Sequence, residues 1–239
     1  MSYENKHSID FVFCIDCSAS MSGIFDCVKT TMFRLIDESE ARLKQKGRVI
    51  DKLRVRIVAF RDYLTSQKDR CPPMLASPFV SLPEEEDKLV RLVGALECAG
   101  GSSDGRDGLE ALGFAMCSDW NLDGFRRHII TLFTNAAPNE LGHGKASAAY
   151  PKGMARDMDE LTAWWENGLW DGGKMSEVSR RLLLFAPDEG GWNYISENWT
   201  NVIHYSTPLN LQEPCSMDFA WIVEHFFNNL WVSPEIHVI

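Results

Sequence analysis

Ile9-Asp10-Phe11-Val12-Phe13-Cys14-Ile15, running into Asp16-Cys17-Ser18-Ala19-Ser20, is the stretch on which the reading of the fold turns. A short apolar run that stops at an Asp and small polar residues reads as a buried strand delivering a loop. A strand apolar on both faces belongs in a sheet covered on both sides, which is the habit of parallel sheets. The residues around it repeat the pattern. After Met21, apolar Ile24, Val28, Met32 and Leu35 recur at helical spacing as far as about Gln45. Leu53 to Phe60 reads as a second strand, with Arg61-Asp62-Tyr63 at its end.

Phe79 to Leu82 reads as a short edge strand. Pro83 then opens a helix with Glu84, Glu85, Glu86 and Asp87 in its first turn, where the helix dipole favours negative charge, and Leu89, Val93 and Leu96 form its inner face. Ala99 to Asp104 is a loop, followed by a helix carrying Leu109, Leu112 and Met116. His128 to Phe133 is a strand ending at Thr134-Asn135, and a Gly- and Ala-rich insertion loop occupies about 136–155. Met158, Leu161 and Trp165 mark a helix, Leu182 to Phe185 and Val202 to Tyr205 two strands, and Phe219 to Leu230 a closing amphipathic helix. This order predicts one α/β domain over 1–239. Its sheet is doubly wound and mostly parallel, with one short antiparallel edge strand and helices on both faces. Ligands in such folds sit beyond the carboxyl ends of the strands, where strand order reverses.

Apolar residues make up 45% of the 239, enough for a large core, and the formal net charge is −10. That charge speaks against a nucleic-acid partner, which needs a basic stripe, and against a polybasic membrane surface. Residues 1–10 lack the apolar core of a signal peptide, and no apolar run reaches spanning length. Seven cysteines without disulfide-scaffold density fit a reducing cytoplasm best. Cys14 and Cys17 stand three apart and face opposite sides of a strand, so a buried, apolar Cys14 explains the pair better than redox chemistry does.

The tightest chemical constellation is Asp16-Cys17-Ser18-Ala19-Ser20. Alternate side chains of an extended turn point the same way, so Asp16, Ser18 and Ser20 can offer oxygens to one point. Hard cations such as Mg²⁺ take oxygen ligands and keep some waters. The plainer alternative is that Ser18 or Ser20 caps the following helix and Asp16 makes an Asx turn.

Phe11 to Met21 resembles the opening of von Willebrand factor A domains, whose metal-ion-dependent adhesion site begins Asp-x-Ser-x-Ser. Gly100-Gly101-Ser102-Ser103-Asp104-Gly105-Arg106-Asp107 resembles the family's second, Gly-rich motif, and the ligand position falls on Asp104, with Ser103 one register away. The family's third motif ends a strand with Thr-Asp; here Thr134-Asn135 stands in its place, which keeps an oxygen and loses a charge. Val58 to Tyr63, Tyr150 through Trp165, and Arg181 to Pro187 are similar to stand-alone bacterial members, so the resemblance covers most of the chain. It implies a Rossmann-like, non-enzymatic protein-binding module. A divalent cation (Mg²⁺, or Mn²⁺ or Ca²⁺) would sit on Asp16, Ser18, Ser20, Asp104 and Asn135, and an acidic residue of a partner protein would complete its coordination. Bacterial stand-alone members are often linked to MoxR-type ATPases, to kinases and phosphatases, or to conflict systems.

Two alternatives remain open at this point. One is a degenerate, metal-free domain that binds partners by surface alone. The other is a serine hydrolase, because Gly101-Ser102-Ser103-Asp104-Gly105 matches a nucleophile elbow at Ser103. That elbow needs a strand immediately before it, whereas Leu92 to Cys98 continue a helical pattern. His143, in the Gly-rich insertion near Asn135, reads as a solvated loop residue sooner than as a lining of the site; Asp62 reads either as a group behind the metal ligands or as an ordinary surface or structural Asp; Trp164 and Trp165 read as core.

Overall fold

The computed structural model describes residues 6–45, 47, 49–65, 71–100, 105–168 and 174–206. Ser103, Asp104, Trp170 and the closing helix expected over Phe219 to Leu230 lie outside the described residues. The first strand, β1 (Lys6–Asp16), is central and parallel to both its neighbours, β2 (Val49–Phe60) and β6 (Phe125–Phe133). Beyond β6 come β8 (Arg180–Ala186) and β9 (Val202–Ser206), both parallel. Two short strands, β3 (Met74–Ala76) and β4 (Val80–Leu82), pair antiparallel with β2, where one was expected. The order is β3-β2-β1-β6-β8-β9, with β4 also on β2, so the chain winds outward in two directions from β1. The sheet is therefore the mostly parallel, doubly wound one anticipated.

Side-chain alternation along β1 builds two cores. Ile9, Phe11, Phe13 and Ile15 face one side, where Val28, Met32 and Leu35 of α1 (Phe25–Gln45) and Leu89 and Val93 of α2 (Glu86–Gly94) cover them. Val12 and Cys14 face the other side, beneath α3 (Gly108–Met116), α4 (Met158–Glu166) and α5 (Gly191–Asn198). Cys14 and Cys17 are free, fully buried thiols in opposite cores, as their spacing implies. Trp164 and Trp165 are core residues and His143 is exposed. The insertion is not wholly irregular: it contains β7 (Ala137–Pro138) and a 3₁₀ turn, His143–Ala146. Ala137 and Pro138 pair in parallel with β5 (Gly105–Arg106). Among the described residues, no helix is long and apolar enough to cross a membrane.

His128 illustrates what burial does at the opposite end of the sheet. Its ring is fully buried against Trp120, and its Nε2 lies 2.9 Å from the carbonyl oxygen of Asn121, to which Nε2–H donates. Burial pushes the imidazole down to about 4. The unfolded chain binds this proton at about 6.5. Between those values the unfolded state holds more protons, so stability contributed by His128 is present above pH ~6.5 and is lost as pH falls toward ~4. His128→Gln, which keeps a donor for Asn121, should flatten the acid side of a stability-versus-pH curve over that window. An unchanged slope in urea melts would show that His128 does not titrate this way.

Candidate metal centre

The carboxyl ends of β1 and β6 meet where the winding reverses, and the crevice beyond them is the usual ligand position of this architecture. Asp16 is the last residue of β1, and Thr134-Asn135 directly follows β6. Asp16 is fully buried. Its Oδ1 accepts the Ser18 backbone N–H at 2.8 Å and its Oδ2 accepts the Thr134 hydroxyl at 2.7 Å. The first of these bonds is an Asx turn, so that element of the plainer reading is present. The Ser18 side chain makes no capping bond; its Oγ lies 3.0 Å from Ser20 Oγ instead. Ser20 donates to Asn135 Oδ1 at 3.0 Å, and Asn135 Nδ2 returns a bond to the Ser20 carbonyl at 3.1 Å. Asp16, Ser18, Ser20 and Asn135 thus form one hydrogen-bonded chain, with Asp16 and Ser18 buried at its floor and Ser20 exposed at its mouth.

Each member is held from elsewhere. Cys17 N–H donates to the Phe60 carbonyl and Ala99 N–H to the Cys17 carbonyl; Ala19 N–H donates to the Gly100 carbonyl, which ties the Ser loop to the start of the Gly-rich loop. Arg61, at the end of β2, spends its guanidinium on the carbonyls of Ala99, Glu97 and Pro72. Asp62 Oδ1 accepts the N–H groups of Leu64 and Thr65. Asp107 accepts from Tyr63 N–H and Asn139 Nδ2, while Glu110 accepts from Gly142 N–H and the Tyr150 hydroxyl. These two buried acids brace the insertion beside the crevice, a role that sequence reading did not single out. Burial pushes both carboxyls up from the ordinary range, against those same bonds.

Arg106 was also missed as a site residue. The β5–β7 pairing sets it beside the loop that follows β6, and it is 97% buried. Its Nε lies 3.9 Å from Asp16 Oδ1, its Nη2 3.4 Å from Ser20 Oγ, and its Nη1 donates to the Gly105 carbonyl at 2.7 Å. Burial pushes Asp16 up from the usual carboxylate range, opposed by the bonds from Ser18 and Thr134 and by the Arg106 charge.

The oxygens of Asp16, Ser18, Ser20 and Asn135 are the hard donors that a Mg²⁺-like ion takes. They converge, and in kind they fit. Among the described residues, no group of three or more His, Cys, Asp or Glu is placed to hold a metal, so the set depends on hydroxyls and one carboxylate. No strand precedes the Gly-x-Ser-x-Gly match: α2 ends at Gly94, and 95–100 contain neither helix nor strand. The support a nucleophile elbow requires is therefore missing on that side.

No protein-family model and no curated protein sequence matches the chain. Solved structures do. The PilB minor pilin of Streptococcus sanguinis matches at 16% identity with a TM-score of 0.50, over 97% of this chain and 63% of that one. The pilus adhesin SpaC of Lactobacillus rhamnosus GG, in its open conformation, matches at 13% identity with a TM-score of 0.48, over 94% of this chain and 30% of that one. The chain thus spans less than two thirds of either protein, and the PilB likeness speaks to fold alone.

Proposed function

We propose that this chain is a protein-binding module of the von Willebrand factor A type, not an enzyme, and that its binding site is the crevice beyond β1 and β6. One observation carries the reading: Asp16, Ser18, Ser20 and Asn135, from two separate segments, meet in a single hydrogen-bonded chain at the point where the winding reverses. A divalent cation, Mg²⁺ or Mn²⁺, would be held by Asp16, Ser18 and Ser20, with Asn135 adjacent and Asp104 the further ligand implied by the resemblance. Bound there, the ion would supply positive charge for a carboxylate of a partner protein. A pocket of about 620 Å³ lined by Gly105, Asn139, His143 and Glu189, among others, gives the partner a surface beside the site. The Arg106 guanidinium and the missing charge at Asn135 favour a second reading, in which the same rim holds its partner without metal.

Titrating Mg²⁺ or Mn²⁺ while following thermal unfolding separates the two. A ligand that binds only the folded state stabilises it, by about 2.7 kcal/mol at a hundred times its Kd. In a chain of this size that is a rise of several degrees. The rise should disappear in Asp16→Asn. No rise in the wild type at millimolar metal would reject the metal-dependent reading and leave the second.

A further inference from the structure

We propose that Arg106 is the resident counter-cation of the Asp16 site, and that a divalent ion enters only by displacing its guanidinium. The inference deepens the metal-dependent reading and rests on Asp16 being the carboxylate that faces the ion. Three observations support it. Arg106 Nε lies 3.9 Å from Asp16 Oδ1, and its Nη2 lies 3.4 Å from Ser20 Oγ, so the guanidinium stands against two of the oxygens that would face the ion. Both charged groups are buried, Asp16 completely and Arg106 to 97%, so bulk water screens neither well. Asn135 brings an oxygen but no charge, so Asp16 is the one carboxylate among the described candidate ligands, and Arg106 is the cation beside it.

A metal ion about 2.1 Å from the Asp16 and Ser20 oxygens would lie within a few ångströms of that guanidinium. A guanidinium that stayed about 4 Å from a dication would weaken binding roughly 30-fold even at the dielectric of water, and more in a buried site, so the ion binds as the guanidinium leaves. The arrangement is consequently a built-in competitor. Without metal, the guanidinium neutralises a carboxylate that, among the described residues, has no other opposite charge beside it. With metal, the ion takes over that role and Arg106 is released toward the rim, where a partner's acidic residue would meet it. Arg106 is thus a positioning and gating residue, with no part in any covalent step.

The test uses the full chain as wild type, Arg106→Gln, Asp16→Asn and the double variant, unfolded in EDTA and in rising Mn²⁺. In EDTA, Arg106→Gln should melt below wild type, and the Asp16→Asn and Arg106→Gln effects should couple rather than add. In Mn²⁺, Arg106→Gln should bind about fivefold or more tighter than wild type, because the ion no longer has to break the Asp16–Arg106 pair. Equal Mn²⁺ affinity in wild type and Arg106→Gln overturns the displacement model and leaves metal-dependent binding standing. Coupling in EDTA with no Mn²⁺ binding by either chain rejects the metal reading and the displacement, and retains only the resident ion pair. Purely additive effects in EDTA overturn the ion pair itself. Should Arg106→Gln fail to fold, the wild type carries the readout: the Nε–Hε resonance of buried Arg106 should shift and lose its solvent protection as diamagnetic Mg²⁺ saturates the site. A resonance unmoved by bound Mg²⁺ overturns the proposal.

Discussion

Trp192→Ala should cost about 4 kcal/mol of stability, the largest single loss we expect from one side chain. Trp192 is fully exposed to the core and not at all to solvent. It sits near the start of α5, its ring packed so closely on Gly108 at the start of α3 that a Cβ there would lie 2.6 Å from the ring. Its indole Nε1–H donates to the Ala136 carbonyl at 3.0 Å. One ring therefore wedges the helix that follows Arg106 against the loop that follows Asn135, and both flank the candidate site. Truncation removes a large buried volume and orphans a buried carbonyl, and each adds to the loss. Trp192→Phe keeps most of the packing and should cost only about 1–2 kcal/mol. Urea unfolding at constant m measures both. A loss below about 1 kcal/mol for Trp192→Ala would mean that the wedge does not hold these segments together.

Arg54→Ala should cost about 3 kcal/mol, for an electrostatic reason at the far end of the sheet. Asp10 interrupts the apolar run of β1 and is 99% buried. Arg54 answers it with two bonds, Nε to Oδ1 at 2.8 Å and Nη2 to Oδ2 at 2.6 Å, the bidentate geometry that makes such pairs strong. The same guanidinium lies 4.4 Å above the Phe79 ring and donates to the Asp119 carbonyl. Without it, the Asn121 N–H still donates to Asp10 Oδ2 at 2.7 Å, but no positive charge answers the carboxylate from Arg54. Breaking one side of such a pair is costly because the surviving charge stays desolvated. Removing both, as Asp10→Leu with Arg54→Met, should recover part of the loss. A double variant no better than Arg54→Ala would place the loss in the Phe79 stacking instead.

The sites of these two losses differ in how visible they are from sequence. Asp10 can be read as an odd charge within an apolar strand, yet nothing local names Arg54 as its partner; parallel pairing of β1 with β2 brings the two together in register. Trp192 lies on a helix that sequence reading overlooked. Gly190 and Gly191 blur its start, and eight residues are too few for the spacing of Trp192, Ile195 and Trp199 to declare itself. β3 was missed for a similar reason: three residues, half-buried to exposed, carry no alternation to detect.

Where segments are long and their neighbours impose two covered faces, local pattern was sufficient. The apolar run of β1, the helical spacing of α1 and the alternation of strands with helices by themselves determined a doubly wound α/β sheet, because burial on both sides dictates residue type at every position. The Asp-x-Ser-x-Ser loop was legible for the same reason, being contiguous. Its surroundings were decided by tertiary structure alone. The sheet carries Asn135 to Ser20 across 115 residues, and the β5–β7 pairing places Arg106 beside Asp16. Charges far apart in the chain become neighbours only when the fold closes, and no periodicity records the sign of the charge that will stand opposite.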